Sequence, residues 1–161
     1  MNTVANLLRK FQTLNPDAVS ERAVAQTKDQ LLTINKRQLF DGKLRTGQDL
    51  SPTYLEDPYF KTPAAAQRYS DWKDRITPNP KRKKGVANLF IDGTYHGSIE
   101  ITVDGDIIHY GSTFAHADAI EAEFTENIYG VGGEYKSEYL DGSLRPAFKG
   151  LMEAATGLKL T

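Results

Sequence analysis

Between Ile99 and Tyr110 apolar and polar residues alternate with a period of two, and Asp104-Gly105 interrupts the alternation near its centre. Period two is the spacing of side chains on a half-buried strand. An Asp-Gly pair takes up the positive φ angles of a tight hairpin turn more readily than most residue pairs. The stretch therefore predicts an antiparallel hairpin with Val103 opposite Asp106, Ile101 facing Ile108, Glu100 facing His109 and Ile99 facing Tyr110. One face, Ile99, Ile101, Val103, Ile108 and Tyr110, is the expected core face. The other, Ser98, Glu100, Thr102, Ile107 and His109, is mostly polar.

Everything around this hairpin reads as helix or loop. Val4, Leu7, Leu8, Phe11 and Leu14 recur at helical spacing. Asn15-Pro16-Asp17 then supplies a cap, a first-turn proline and an acid at the positive helix end. The following helix should run from about Pro16 to Phe40, roughly 35–40 Å at 1.5 Å per residue, and stop at Asp41-Gly42. Its middle, Gln26 to Gln30, is polar all round, which fits one helix with an exposed centre or a break there; such a helix bridges across solvent or meets another subunit.

Residues 42–62 have no period, yet Leu44, Leu50, Tyr54, Leu55, Tyr59 and Phe60 are too apolar for a disordered linker. They predict a structured loop held by aromatic rings. Thr62-Pro63 opens a helix to about Arg75, with Tyr69 and Trp72 as anchors for the 42–85 excursion. Residues 77–85 form a basic loop. Past the hairpin, Ala115 to about Asn127 reads as a helix packed by Ala115, Ala119, Ile120 and Phe124. "GVGGEY" reads as a turn and "EYKSEYL" as a short helix. A last helix, capped by Ser143 and running through Ala155, carries Phe148 and Leu151 into the core. This order is α+β: an antiparallel sheet containing a long hairpin, packed by helices. The chain divides into an N-terminal helical arm, 1–41, and an α+β core domain, 42–161.

The composition excludes more than it suggests. Twenty basic residues against 21 acidic ones give a formal charge of −1, so there is no bulk drive toward nucleic acid or an anionic membrane. There are no cysteines, which removes thiolate nucleophiles and cysteine metal sites. No apolar run approaches the roughly 18 residues of a membrane helix, and the first residues lack a signal-peptide pattern; a product of the cytoplasm is expected.

His96, if the strand reaches back that far, stands four residues from Glu100, roughly 13 Å along a strand. Glu100 is the expected partner of His109, so the two histidines are too far apart to share a metal through ligands near 2.1 Å. His109 is read as a cross-strand partner on a half-exposed face, and His116 as an exposed residue at a helix start. No phosphate loop, zinc-helix pair or nucleophile elbow occurs, and Asp104 and Asp106 lack the rest of a calcium loop. No catalytic residue, cofactor or metal is expected. A hydrolase on His96, His109, His116 and Asp118 is the least favoured reading. The one candidate binding group is Lys81, Arg82, Lys83 and Lys84. A solvated loop is its simplest account; phosphate contacts by a nucleic-acid-binding module are the alternative, and docking on an acidic neighbour is another.

The run Leu89, Asp92-Gly93, Tyr95, Ser98-Ile99 resembles an "L-x-x-T-G-x-(aromatic/L)-x-x-S-I" signature of head–tail connector, or tail-completion, proteins of long-tailed phages. Gly111-Ser112, Ala117 with Ile120-Glu121, and Arg145-Pro146-Ala147-Phe148 extend the likeness. Ile34 to Lys43 and Tyr69 to Lys73 are similar to relatives from Bacteroidetes phages. The resemblance spans residues 31–156. Asp92 stands where the signature has threonine, and residues 1–30 lie outside it. The resemblance implies a non-catalytic virion protein, made in the host cytoplasm. It would assemble as a homo-oligomeric ring at the portal–tail junction with portal, connector or tail proteins as partners. A tail terminator or capsid-associated protein is the near neighbour of that reading.

Overall fold

The computed structural model describes residues 4–105 and 107–160. The side chains of Val4, Leu7, Leu8 and Phe11, and Asp106 altogether, lie outside the described residues, so the expected apolar face of the first helix and the expected Val103–Asp106 pair are not among the observations.

The chain is α+β. Helix α1 (Val4–Thr13) precedes α2 (Pro16–Phe40), which is continuous for 25 residues. Asn15 caps α2 through its side-chain oxygen, which accepts from the backbone N–H groups of Asp17 and Ala18 at 3.0 and 3.3 Å. Pro16 sits in the first turn, where its missing N–H costs nothing. Gly42 leaves the helix with φ +73°, and a Cβ there would meet Val86 Cγ1 at 2.8 Å, so the sharp exit needs glycine.

Helix α2 does not break, and Gln26, Lys28, Asp29 and Gln30 in its polar middle are exposed as expected, whereas Thr27 turns inward. Thr27 is buried; its hydroxyl donates to the Ala23 carbonyl and therefore accepts from the Tyr139 hydroxyl at 2.8 Å. Nearer the C-terminus, Leu31, Ile34 and Leu39 are buried beside two buried amides, Asn35 and Gln38. Helix α2 packs against the hairpin and the C-terminal helices. Among the described residues, α2 and the region that follows it thus share one interior.

Helix α3 (Pro63–Ile76) is capped by the Thr62 side chain, which accepts from Ala65 N–H at 3.2 Å. A five-residue helix, α4 (Thr94–Ser98), leads into β1 (Ile99–Asp104), which pairs antiparallel with β2 (Ile107–Ser112). The register differs from expectation. Ile101 lies opposite Tyr110, Thr102 opposite His109 and Val103 opposite Ile108. The turn is shifted by one residue along the chain: β1 runs one residue further than expected and β2 starts one residue later, at an Asp104–Ile107 pair. His109 therefore faces Thr102, not Glu100. The slip is two residues in total, and an even slip preserves faces: Ile99 and Ile101 are buried, and Val103, Ile108 and Tyr110 are half-buried against the core.

After β2, α5 (Ala117–Phe124) is shorter than expected because Thr125, at φ +63°, ends it before a 3₁₀ turn (Glu126–Ile128). Ala117 and Phe124 pack inward, whereas Ala115 and Ala119 are exposed. Helix α6 (Gly133–Tyr139) runs through a widened π turn (Leu140–Leu144) directly into α7 (Arg145–Thr156). The expected separate helix capped by Ser143 is therefore absent. The wide turn sits just before Pro146, which has no N–H for the carbonyl four residues back and crowds it. Phe148 and Leu151 on α7 are half-buried, not fully interior.

Two apolar clusters make the core. One joins Leu39, Leu50, Tyr54, Val86, Tyr95, Ile99 and Phe124; the other joins Leu31, Ile34, Ile101, Tyr135 and Tyr139. Leu32 and Tyr110 pack against both. The glycine-rich segment 130–133 is fastened to α2 by amides. Asn35 donates to the carbonyls of Ile128 and Gly130 at 3.0 and 2.8 Å. Gln38 donates to Gly130 O at 3.1 Å and accepts from Gly132 N–H at 2.9 Å. A Cβ on Gly132 would fall 1.6 Å from the Arg45 carbonyl oxygen, so this close backbone approach excludes every other residue.

Candidate functional site

The basic run 81–84 is not a free cationic patch. Arg82 is buried: its guanidinium pairs with Asp74 at 2.9 Å and donates to the carbonyls of Val86 and Thr77 at 2.7 and 3.2 Å. That makes it the internal strut of the loop. The other three point outward onto carboxylates of the same chain, Lys81 to Glu134 at 3.4 Å, Lys83 to Asp49 at 2.5 Å and Lys84 to Asp71 at 2.9 Å. Hydrogen bonds from Lys43 and Lys83 hold the Asp49 carboxyl below the usual carboxylate range, and those from Lys84 and Gln67 do the same for Asp71.

The histidines are scattered. His96 is not on the strand; it sits in α4, buried, with Nε2 2.9 Å from the Asn88 carbonyl oxygen. The turn that redirects the chain is Asp92-Gly93: Asp92 Oδ1 accepts from Thr94 N–H at 2.9 Å and Gly93 has φ +89°. Because a carbonyl only accepts, His96 Nε2 carries the proton. Burial pulls its pKa down to about 4, and the charges of Lys36 and Lys73 add to that, against the bond to Asn88. His109 and His116 are exposed. Among the described residues no group of three or more His, Asp or Glu side chains is placed to hold a metal ion.

One concavity is an aromatic-lined pocket of about 660 Å³. The 53–60 loop supplies Tyr54, Asp57, Tyr59 and Phe60; α3 supplies Tyr69 and Lys73. The 89–95 segment forms another wall, and Phe114 with α5 closes the remaining side. Ring packing fixes the loop as the sequence suggests. Tyr69 meets Tyr54 edge-on at 5.0 Å and Phe60 at 5.1 Å. Trp72 is a weaker anchor than expected: it lies 5.3 Å from Tyr69 but remains 38% exposed.

Charge in the pocket is uneven. Lys73 is fully buried, and its ammonium donates to the Phe90 carbonyl. Burial, then the neighbouring Arg82 charge, lowers its pKa to about 8. Three carboxylates line the same space: Asp57, Asp92 and Glu123. Asp57 and Asp92 each accept one backbone N–H, from Tyr59 and Thr94. Among the described residues none of the three is in an ion pair. Burial, then the Asp57 charge, raises the Glu123 pKa. Tyr59 and Ile91 at the mouth are 82% and 63% exposed. The tyrosines and Phe60 were legible as loop anchors; the acids were not, because Asp57, Asp92 and Glu123 come from three separate segments.

No protein-family model, curated protein or solved structure matches the chain.

Proposed function

We propose that the chain is a non-catalytic virion protein of a tailed phage. It would assemble through subunit contacts as a ring at the head–tail junction, with portal, connector or tail proteins as partners. One observation carries the reading. The segment that bears the connector-like signature, Leu89 to Ile99, also builds a wall of the aromatic pocket, through the signature positions Leu89 and Tyr95. The side chains that resemble the signature thus border a concave surface with exposed apolar residues at its mouth. Exposed apolar surface of this kind suits protein docking. A heterologous contact whose rotation closes gives a ring. The basic run, tied to its own acids, gives the nucleic-acid alternative no comparable support.

Light scattering behind a sizing column, over a range of concentrations, tests the proposal. A discrete ring-sized species is expected, either from the chain alone or after portal or tail proteins are added. A monomer at every concentration that ignores those partners refutes it.

A further inference from the structure

We infer that the aromatic pocket receives an arginine side chain, flanked by apolar residues, from a partner protein. The inference rests on reading this surface as an assembly surface, and names what the surface takes.

Rings and carboxylates together decide the chemistry. A planar guanidinium stacks on aromatic faces and donates to carboxylates at its edge. Here Tyr54, Phe60, Tyr69 and Phe114 provide the rings, and Asp57, Asp92 and Glu123 provide acceptors that no basic side chain of the described residues satisfies. The single cation in the lining, Lys73, is outnumbered, and its ammonium is committed to the Phe90 carbonyl. Burial, and after it the charge of Asp57, raises the Glu123 pKa, and an incoming cation at these acceptors would offset that. The acids repel phosphate and so argue against nucleic acid or an anionic lipid surface. The apolar mouth argues for a polypeptide over a small cation. Tyr59 and Ile91 are largely exposed at the mouth and would stay wet around a small ion, whereas neighbours of an arginine in a chain cover them.

The test is a titration of the full chain, followed by amide NMR, with acetyl-Leu-Arg-Phe-amide and with its glutamine and glutamate counterparts. The arginine peptide should bind at least about tenfold tighter than the glutamine peptide, the size of a partly desolvated cation–π contact, with the glutamate peptide weakest. The shifts should centre on residues 54–60, 89–95 and 120–124. In the Asp57→Asn/Glu123→Gln double variant, whose fold the same spectra check, the preference should fall to about twofold or less. Equal binding of the three peptides, or shifts centred elsewhere, overturns the inference. Saturation of the same resonances by guanidinium chloride at the same concentration assigns the site to a small cation and also overturns it. Loss of self-association in the double variant assigns the occupant to a second copy and overturns the choice of partner. The native mass keeps the two proposals apart. A ring without peptide preference sinks only this inference, and a strict monomer with the preference sinks only the ring.

Discussion

Acidification from pH 7 to pH 4 should remove about 3 kcal/mol of stability at one side chain, His96. The ring is buried, its Nε2–H is spent on the Asn88 carbonyl, and Phe90 packs edge-on at 5.2 Å. Among the described residues Nδ1 has no hydrogen-bond partner, so a second proton would enter a site without an acceptor. The folded-state pKa of about 4 lies below the ordinary 6.5. Between those values the unfolded chain binds more protons than the folded one, so stability rises with pH. The contribution is complete above about pH 6.5 and is lost as pH falls toward 4. A shift of this size, at about 1.4 kcal/mol per unit, gives the figure of about 3 kcal/mol. Urea unfolding at pH 7, 5.5 and 4 would be compared for the native chain and His96→Gln, whose amide can still donate to Asn88 but does not titrate in this range. Carboxylates titrate in both proteins and cancel. The variant should be less stable at pH 7 and should close on, or overtake, the native chain by pH 4. Parallel loss of stability in the two would refute the reasoning, because it would mean that His96 is protonated in the folded state at little cost.

Other perturbations have expected sizes. Arg82→Met leaves Asp74 without its partner and two carbonyls without donors. It should cost about 3–5 kcal/mol in urea unfolding, whereas Lys84→Ala, which removes an exposed pair, should leave the unfolding midpoint nearly unchanged. Gly132→Ala forces the Arg45 backbone aside and should cost at least about 3 kcal/mol, or leave no folded protein in circular dichroism. Ile99→Ala should cost about 2–5 kcal/mol through the cavity it leaves. His109→Ala, on the exposed face opposite Thr102, should change the melting temperature by no more than about 2 °C.

Local signals carried most of the fold. Asn15-Pro16 and Asp41-Gly42 bracketed α2 because caps and a positive-φ exit are written in residue types. Thr62-Pro63 marked α3 in the same way. The hairpin's faces were legible because parity survives an even slip; its register was not, since Asp104 and Gly105 alone do not say which residues the turn takes from the strands. His96 was misplaced because the strand pattern was extended back to it, although Asp92-Gly93 just before is a local signal strong enough to start a helical turn. The π junction escaped notice because Ser143 and Pro146 imitate a helix start. The fate of the basic run depended on where Asp49, Asp71, Asp74 and Glu134 would lie. The pocket was least legible, because its rings and acids come together only when the 53–60 loop, α3, the 89–95 segment and α5 pack.

The amide clasp between α2 and the glycine-rich segment has a consequence for the order of folding. Asn35 and Gln38 meet partners 92 to 95 residues further along the chain. At roughly 5–20 residues per second, the ribosome delivers those partners about 5–20 s after α2 itself. During that interval the helix presents Leu31, Ile34 and two unsatisfied amides to whatever is nearby. The part of the core around Leu31 and Ile34 cannot close before the last third of the chain supplies Tyr135 and Tyr139. Such a chain is most vulnerable to capture while it is being made, and a chaperone that shields α2 until synthesis is nearly complete would raise the yield of native protein without touching any contact in the finished structure.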